Sequence, residues 1–338
     1  MIPKTLRRGL FLAPFAALLS GCNTVVFNAS GDIAQQEAHL VILSVILMLL
    51  IIVPVFILII WFAIKYRASN TEAAYEPDWD HSTKLELVIW GAPLLIIIVL
   101  GLVTWISTHK LDPYRPLDRL DASHPIPAST KPLVVQAVAM DWKWLFIYPE
   151  QGIATVNELV VPTNVPIRFK ISATSVMNAF YVPELAGMVY AMPGMEIALN
   201  AVQNKPVTSI GFSSNYSGAG YSDMRFSYKG VAQGDFDGWV QSVKAGGGNL
   251  DRANYLTLEK PSIKEPVHRY AAVDNDMYYR ILNRCVADGV VCQDKMMNDD
   301  AKRAAEMAML SKPQQAAATR LAQAGGEVCA QPNKPVKK

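Results

Sequence analysis

The chain contains 338 residues, of which 51% are hydrophobic and only 18% are charged, and its formal net charge at pH 7 is +2. An ordinary soluble domain carries about 25% charged residues, so the shortage indicates long uncharged segments. A net charge this small, with no basic stripe to neutralise phosphates, argues against a nucleic-acid partner.

The first residues have the pattern of a targeting segment. A positive start, formed by Lys4, Arg7 and Arg8, precedes an apolar stretch that is too short to span a bilayer. The stretch ends at "LSGC", residues 19–22, which resembles a bacterial lipobox. This predicts a lipoprotein signal peptide over residues 1–21 and a lipidated Cys22 as the mature N-terminus. The alternative is an ordinary secretory signal, and in both cases the mature chain begins outside the cytoplasm.

Two uncharged apolar runs follow, at residues 40–64 and 87–108. A membrane core of about 30 Å needs roughly 20 helical residues, because each residue rises about 1.5 Å. Residues 22–111 are therefore expected to contain a two-helix transmembrane hairpin. With an exported N-terminus, the loop at residues 65–86 is cytoplasmic.

The residue composition of the sequence changes after a Pro-rich linker. Short segments rich in β-branched and aromatic residues, separated by Pro, Gly and Asn, predict a β-sandwich over residues 125–245. Helical patterns predict a C-terminal helical arm over residues 246–310. The composition of residues 311–338 predicts a disordered tail.

Three cysteines remain beyond the lipobox: Cys285, Cys292 and Cys329. An exported chain meets an oxidising compartment, so "CVADGVVC" could close a small loop through a disulfide between Cys285 and Cys292. One thiol is then left over.

Several segments carry a family resemblance. They are "KYRASN" at 65–70, "MDWKWLFIYPEQGIATVNE" at 140–158, "SVMN" at 175–178 and "NYSG" at 215–218. Over about residues 15–285 the chain resembles subunit II of the haem–copper respiratory oxidases. The resemblance implies a membrane-anchored all-β protein with a cupredoxin-like Greek-key sandwich. It also implies a place in the bacterial inner membrane, with the large domain in the periplasm.

In the cytochrome c-oxidising branch of that family, the sandwich holds a dinuclear copper centre. Its ligands are one His on an early loop and a later Cys-Ser-Glu-x-Cys-x-x-x-His-x-x-Met loop, with the soft and borderline donors that copper prefers. This chain has other residues at all but one of those positions: Asn178, Ser213, Asn215, Ser217, Tyr221 and, as the single match, Met224. One thioether is too weak to hold copper, so we expect no metal site.

Loss of the copper ligands is the pattern of the quinol-oxidising, cytochrome bo-type branch, in which electrons come from membrane ubiquinol and not from cytochrome c. The resemblance therefore implies a subunit of a proton-pumping ubiquinol oxidase that has no catalytic residue or cofactor of its own. Haems and copper are expected in subunit I, and subunits I, III and IV and membrane lipid are the expected partners. The alternative from another class is a free-standing membrane-anchored binding module. A copper-bearing cytochrome c oxidase subunit is disfavoured by the missing ligands.

Three further features have both a functional and an ordinary structural interpretation. Glu86 opens the second apolar run, and a carboxylate at that depth is a functional candidate; the resemblance places a Glu there at the mouth of a proton channel of subunit I. The alternative is a charge favoured by the helix dipole. His81 is interpreted as a solvated loop residue. Trp142, Trp144, Phe146 and Tyr148 alternate along one predicted strand and are expected to pack in the core or against another subunit.

Overall fold

The computed structural model describes residues 24–74, 77–127, 130–309 and 320. The predicted signal peptide with Cys22, and the predicted tail with Cys329, lie outside the described residues. The chain divides into two compact units, one ending at Asn275 and the other beginning at Asp276.

The two uncharged runs form the longest helices of the first unit. Helix α1 spans Asp32–Lys65 and helix α2 spans Thr83–Lys110, and both are long and apolar enough to cross a membrane. Each extends beyond its uncharged run, because polar turns continue the helix at the ends. Most of their apolar side chains are exposed, so these helix surfaces are suited to lipid or to other membrane helices.

The sandwich consists of two sheets. The strands are β1 Leu133–Met140, β2 Lys143–Tyr148, β3 Ile153–Val156, β4 Glu158–Pro162, β5 Pro166–Ala173, β6 Asn178–Val182, β7 Ala186–Ala191, β8 Ile197–Val202, β9 Val207–Ser213, β10 Arg225–Val231, β11 Gly248–Leu250 and β12 His268–Val273. One sheet has the order β11-β12-β3-β2-β1-β5-β8, and the other has the order β4-β10-β9-β6-β7. The β1–β5 and β4–β10 pairs are parallel, so the chain crosses between the sheets.

Aromatic rings fill the space between the sheets. All six residues of β2 are buried, and Trp144, Phe146 and Tyr148 share one face because successive side chains of a strand point to opposite faces. Phe146 lies edge-on to Phe226 of β10 with ring centroids 4.9 Å apart, a favourable aromatic geometry. The Tyr148 hydroxyl donates to the Val160 carbonyl at 2.9 Å, which satisfies its polar atom inside the core.

The segment before α1 is attached to the sandwich. Gly31 forms an isolated antiparallel bridge with Gln203, and its N–H donates to the Glu184 carbonyl at 2.8 Å. The Ser30 N–H donates to the Glu184 carboxylate at 3.0 Å. A Cβ on Gly31 would lie 2.7 Å from the Leu185 carbonyl oxygen, so the close approach requires glycine. Helix α1 therefore starts directly on the sandwich.

The structure differs from the expectation of a boundary at residue 245. Helix α3 spans Gln233–Gly246, and β12 then pairs with β3 and continues the larger sheet. Helix α4, Arg252–Leu258, lies between β11 and β12. The sequence of β12, "HRYAAV", has charged residues and little alternation, because this strand is only half buried. The start of the predicted helical arm thus contains two strands of the sandwich.

The second unit contains helix α5, Met277–Leu282, and helix α6, Gln293–Met309. A disulfide joins Cys285 and Cys292 between the two helices. The Tyr279 hydroxyl donates to the Asp294 carboxylate at 2.7 Å, so a second contact supports the same turn.

Candidate functional site

The segment with the positions aligned to the copper ligands, from Ser213 to Met224, joins β9 to β10. Strands β6 and β9 are antiparallel neighbours, with Phe180 opposite Ser213. This register brings Asn178, the first residue of β6, beside Ser213, the last residue of β9. The Ser213 hydroxyl donates to the Asn178 side-chain oxygen at 3.2 Å and accepts from the Ala179 N–H at 3.3 Å. Asn178 and Ser213 are both buried, so their polar atoms are shielded from water and hydrogen-bond to one another.

Ser217 and Met224 form a second contact among the positions aligned to the copper ligands. Met224 is fully buried in the core, directly before β10. The Ser217 hydroxyl lies 4.0 Å from the Met224 sulfur. The loop thus folds back so that its middle approaches its end, as a loop that surrounds one centre must do.

Asn215 and Tyr221 make other contacts. The Asn215 amide donates to the Met177 carbonyl at 3.0 Å, which ties the loop to the segment before β6. The Tyr221 ring lies edge-on to the Tyr216 ring at 5.6 Å. Tyr216 is 74% exposed, so this aromatic pair is on the outer side of the loop.

Trp142 covers the loop from one side. It occupies the two-residue turn between β1 and β2 with a φ of 66°, which is uncommon for a bulky residue. Its indole N–H donates to the Ser217 carbonyl at 3.1 Å. A Cβ on Gly220 would lie 2.5 Å from the Trp142 ring. The alternating pattern predicts Trp142 on the strand with Trp144, whereas in the structure Trp142 precedes β2 and packs against the loop.

The cluster of positions aligned to the copper ligands has few donors suited to a soft metal. Its side chains are two amides, two hydroxyls, a phenol and the Met224 thioether, and thiolate or imidazole donors are what copper prefers. Within the residues that the structure describes, no group of three His, Cys, Asp or Glu side chains is placed to hold a metal. The residues present do not fit a dinuclear copper centre.

Glu86 lies in the first turn of α2. Its carboxylate is 2.8 Å from the Nδ1 atom of His81, and the other ring nitrogen is 3.1 Å from the Thr83 hydroxyl. His81 is exposed, as a solvated loop residue is, but it also contacts the candidate carboxylate, which the sequence did not indicate. Beside Glu86 is an apolar groove of about 390 Å³ that includes Trp90 and Leu94.

A buried carboxylate at the start of β4 is not among the sites that the sequence pattern predicts. Glu158, at the start of β4, is only 3% exposed. Arg269 of β12 donates to both of its oxygens at 2.8 and 3.0 Å, Lys229 of β10 donates at 3.1 Å, and the Trp239 indole of α3 donates at 3.4 Å. Although burial by itself would raise it, these hydrogen bonds and charges hold the pKa of Glu158 below its usual value. One charged residue in the apolar "ELVVP" run was the available signal.

Two family profiles match the first unit and the region that follows. The profile described as cytochrome c oxidase subunit II, periplasmic domain, matches residues 150–231, which include the loop and most strands. The profile described as the COX aromatic-rich motif matches residues 244–289.

Curated relatives match most of the chain. The cytochrome bo(3) ubiquinol oxidase subunit 2 of Pseudomonas putida is 46% identical over 286 residues, which cover 84% of this chain and 88% of that protein. The ubiquinol oxidase subunit 2 of Acetobacter aceti is 45% identical over 267 residues, which cover 79% of this chain and 84% of that protein. Among solved structures, the periplasmic domain of subunit II of cytochrome oxidase from Bradyrhizobium japonicum is 25% identical, with a TM-score of 0.32, and covers 32% of this chain and 91% of that one.

Proposed function

Since the chain belongs to the ubiquinol oxidase subunit 2 family, we propose that it serves its oxidase as a subunit without a redox centre of its own. The membership confirms the resemblance seen in the sequence and the cupredoxin-like fold class. The complex oxidises ubiquinol to ubiquinone, reduces O₂ to water in the aerobic respiratory chain, and couples this to proton pumping.

The donor set of the loop carries the proposal. Asn178 and Ser213 are hydrogen-bonded to one another, and Ser217 faces Met224. The positions that bind copper elsewhere in the family thus hold side chains that contact each other. An electron relay at this point would need thiolate or imidazole ligands. Electrons therefore bypass this subunit, and cytochrome c is not its donor. Haems and copper in subunit I supply the oxygen chemistry.

The exposed faces of α1 and α2 support a role in docking and assembly. Trp90, Leu94 and Ile97 of α2 are among many large apolar side chains that the chain itself leaves uncovered. The helix pair packs against subunit I, with subunits III and IV completing the complex and lipid covering the rest. The sandwich caps the outer face of the complex.

Glu86 feeds protons towards subunit I in an accessory role. Glu86 lies in the first turn of a membrane helix and contacts His81. A carboxylate within hydrogen-bond distance of an imidazole is the arrangement that proton transfer between side chains requires. The apolar groove beside Glu86 gives a neighbouring helix a place to pack.

The same proposal places the protein in the bacterial inner membrane with its sandwich in the periplasm. Lipidation of Cys22 would add a third attachment at the outer surface. This residue lies outside the described part of the chain, so the argument for its modification is the lipobox sequence alone.

Copurification tests the function. Tagged chain, extracted in mild detergent, should bring with it a haem-bearing protein with many membrane helices, and the preparation should oxidise ubiquinol with O₂. A chain that purifies alone from cells that respire on ubiquinol would instead support the free-standing binding module.

A further inference from the structure

A cavity of about 230 Å³ lies where the two membrane helices meet the sandwich. One wall is the first two turns of α1, a second is the segment that follows α2, and the third is formed by β7 and β8. Asn200 of β8 donates to the Pro113 carbonyl at 3.0 Å, which holds two of these walls together. The cavity is separate from both the β9–β10 loop and Glu86.

The charges that line this cavity do not cancel among themselves. Arg119 pairs with Asp32 at 3.1 Å, and Arg115 pairs with Asp118 at 2.7 Å. Lys110 also lines the cavity and has no ion-pair partner among the residues that the structure describes.

Glu37 is the acidic group that a ligand cation would complement. Burial raises its pKa, and a cation bound beside it would favour its charged form. Its carboxylate accepts from the backbone N–H of Gly187, and among the described residues no cationic side chain pairs with it. Asp112, at the rim, accepts the Tyr114 N–H at 2.9 Å. The cavity therefore presents one unpaired cation together with unpaired carboxylates, and a ligand that complements it must carry both signs.

The cavity lies at the end of a membrane helix, so a membrane lipid is the ligand that can reach it most directly. Lys110 is the last residue of α2. Trp105, one turn earlier, is 68% exposed and contacts His109, with ring centroids 4.5 Å apart, as anchors at the membrane–water interface are. A lipid whose headgroup enters the cavity can lay its acyl chains along the exposed apolar side of α2.

We propose that this cavity binds the headgroup of phosphatidylethanolamine from the outer leaflet. Lys110 provides the charge for the phosphate, and Glu37 accepts hydrogen bonds from the primary ammonium. Pockets that enclose a drug-sized molecule measure roughly 300–1,000 Å³, so a cavity of about 230 Å³ suits a headgroup whose chains remain outside. The proposal depends on the membrane placement of the helices and not on the redox assignment.

The lining also discriminates against other headgroups. Choline has no N–H to donate, and proteins recognise quaternary ammonium with aromatic rings. No aromatic residue is among the described residues that line this cavity. A purely anionic glycerol headgroup would leave Glu37 and Asp112 without a countercharge.

Native mass spectrometry of the whole oxidase complex tests the proposal. The delipidated complex is given phosphatidylethanolamine, phosphatidylcholine or phosphatidylglycerol with identical acyl chains. We expect wild type to bind the ethanolamine lipid about tenfold more tightly than the choline lipid, the contribution of one charged hydrogen bond. Glu37→Gln should abolish that preference and leave choline-lipid binding unchanged, whereas Lys110→Gln should weaken both, since both contain phosphate.

Glu150→Gln is the matched control, because Glu150 lies in the β2–β3 turn and does not line the cavity; it should retain wild-type binding. Equal binding of the three lipids, a preference that survives Glu37→Gln, or the absence of any lipid adduct would overturn the proposal. Displacement of the lipid by equimolar glycerophosphoethanolamine would also overturn it, because the ligand would then be a soluble zwitterion. Haem content, measured on each variant, reports separately on assembly of the oxidase.

Discussion

Glu158 connects four elements of the fold through one carboxylate. Its partners come from β10, β12 and α3, although Glu158 itself belongs to β4. Lys229 and Arg269 are partly exposed, so water weakens their charge attraction to Glu158. The hydrogen bonds to the carboxylate therefore contribute most of the stabilisation. Removal of the charge leaves Arg269 without its bidentate partner.

We therefore expect Glu158→Gln to lower the free energy of unfolding by about 1–3 kcal/mol. Thermal unfolding of the full chain in detergent, followed by tryptophan fluorescence, measures this. The control is Glu196→Gln, which removes a surface pair with Lys170 at 3.2 Å and should cost less than about 1 kcal/mol. Equal effects of the two changes would contradict the assigned role.

The same residue predicts a dependence of stability on pH. The pKa of Glu158 is lowered in the folded protein, whereas an unfolded Glu titrates near about 4.3. The contribution of the carboxylate is thus fully present above that value and is lost as the pH falls through the folded pKa. The difference between wild type and Glu158→Gln should be constant from pH 6 to 8 and should shrink below about pH 4.

Glu86→Gln should slow oxygen reduction severalfold without loss of haem or of assembly, because a proton-uptake group affects a rate and water can replace it in part. Glu86→Asp should keep more activity than Glu86→Gln. Ubiquinol-dependent oxygen consumption across the pH range measures the effect.

Glu72→Gln is the control for Glu86, since Glu72 is an exposed carboxylate of the loop between the same two helices. It should have wild-type activity. Full activity of Glu86→Gln at every pH would show that Glu86 only favours the start of the helix.

Among the elements, the β9–β10 loop is predicted to be a metal loop that has lost its ligands. Restoring the donors through Asn178→His, Ser213→Cys, Asn215→Glu, Ser217→Cys and Tyr221→His, with Met224 unchanged, should create a copper site. The contacts of Asn178 with Ser213 and of Ser217 with Met224 support this. Intense thiolate-to-copper absorption and an electron-spin signal shared over two coppers would identify the centre.

The control for this experiment is the same variant with Ser217 retained, which has a single thiolate and should bind copper only as a mononuclear site. The protein must be kept reduced, since two adjacent thiols can form a disulfide. Weak, scattered copper binding by the five-fold variant would mean that the loop is aligned wrongly with the copper-bearing branch.

Elements with a strong period were predictable, and elements set by tertiary contacts were not. Uncharged runs indicated α1 and α2, and alternation indicated β2, because burial leaves a direct mark on composition. Strand β12 left no such mark, since its pairing with β3 supplies the order. Trp142 was misplaced because its turn conformation depends on the loop that it covers.

The candidate site divides in the same way. The loop positions and Glu86 are predictions from family resemblance. The contact of His81 with Glu86 and the ion pairs of Glu158 join residues whose partners no local pattern names. The ion pairs of Glu158 depend on the register of distant strands, and the His81 contact depends on the path of the chain before α2, neither of which a single sequence reveals.

At the scale of the whole molecule, lipidation of Cys22 makes a prediction about mass. The intact mass of the mature chain should exceed that of residues 22–338 by a diacylglyceryl group and an additional acyl chain. Cys22→Ala should prevent this processing. Activity should be retained, because two membrane helices anchor a chain far more firmly than acyl chains do. An unmodified N-terminus at another residue would exclude the lipobox interpretation.

The attachment of Gly31 to the sandwich restricts the number of times that the chain can cross a membrane. Gly31 bridges Gln203, so the start of α1 and the whole sandwich are on one side of any membrane that the chain crosses. Between residues 31 and 133 the chain can therefore cross only an even number of times. Two helices of the described residues are able to cross, so both must do so or neither. Crossing puts the Lys65 end of α1 and the Glu86 end of α2 on the opposite side. This orientation follows from a backbone bridge and needs neither the signal peptide nor the charges of the loops.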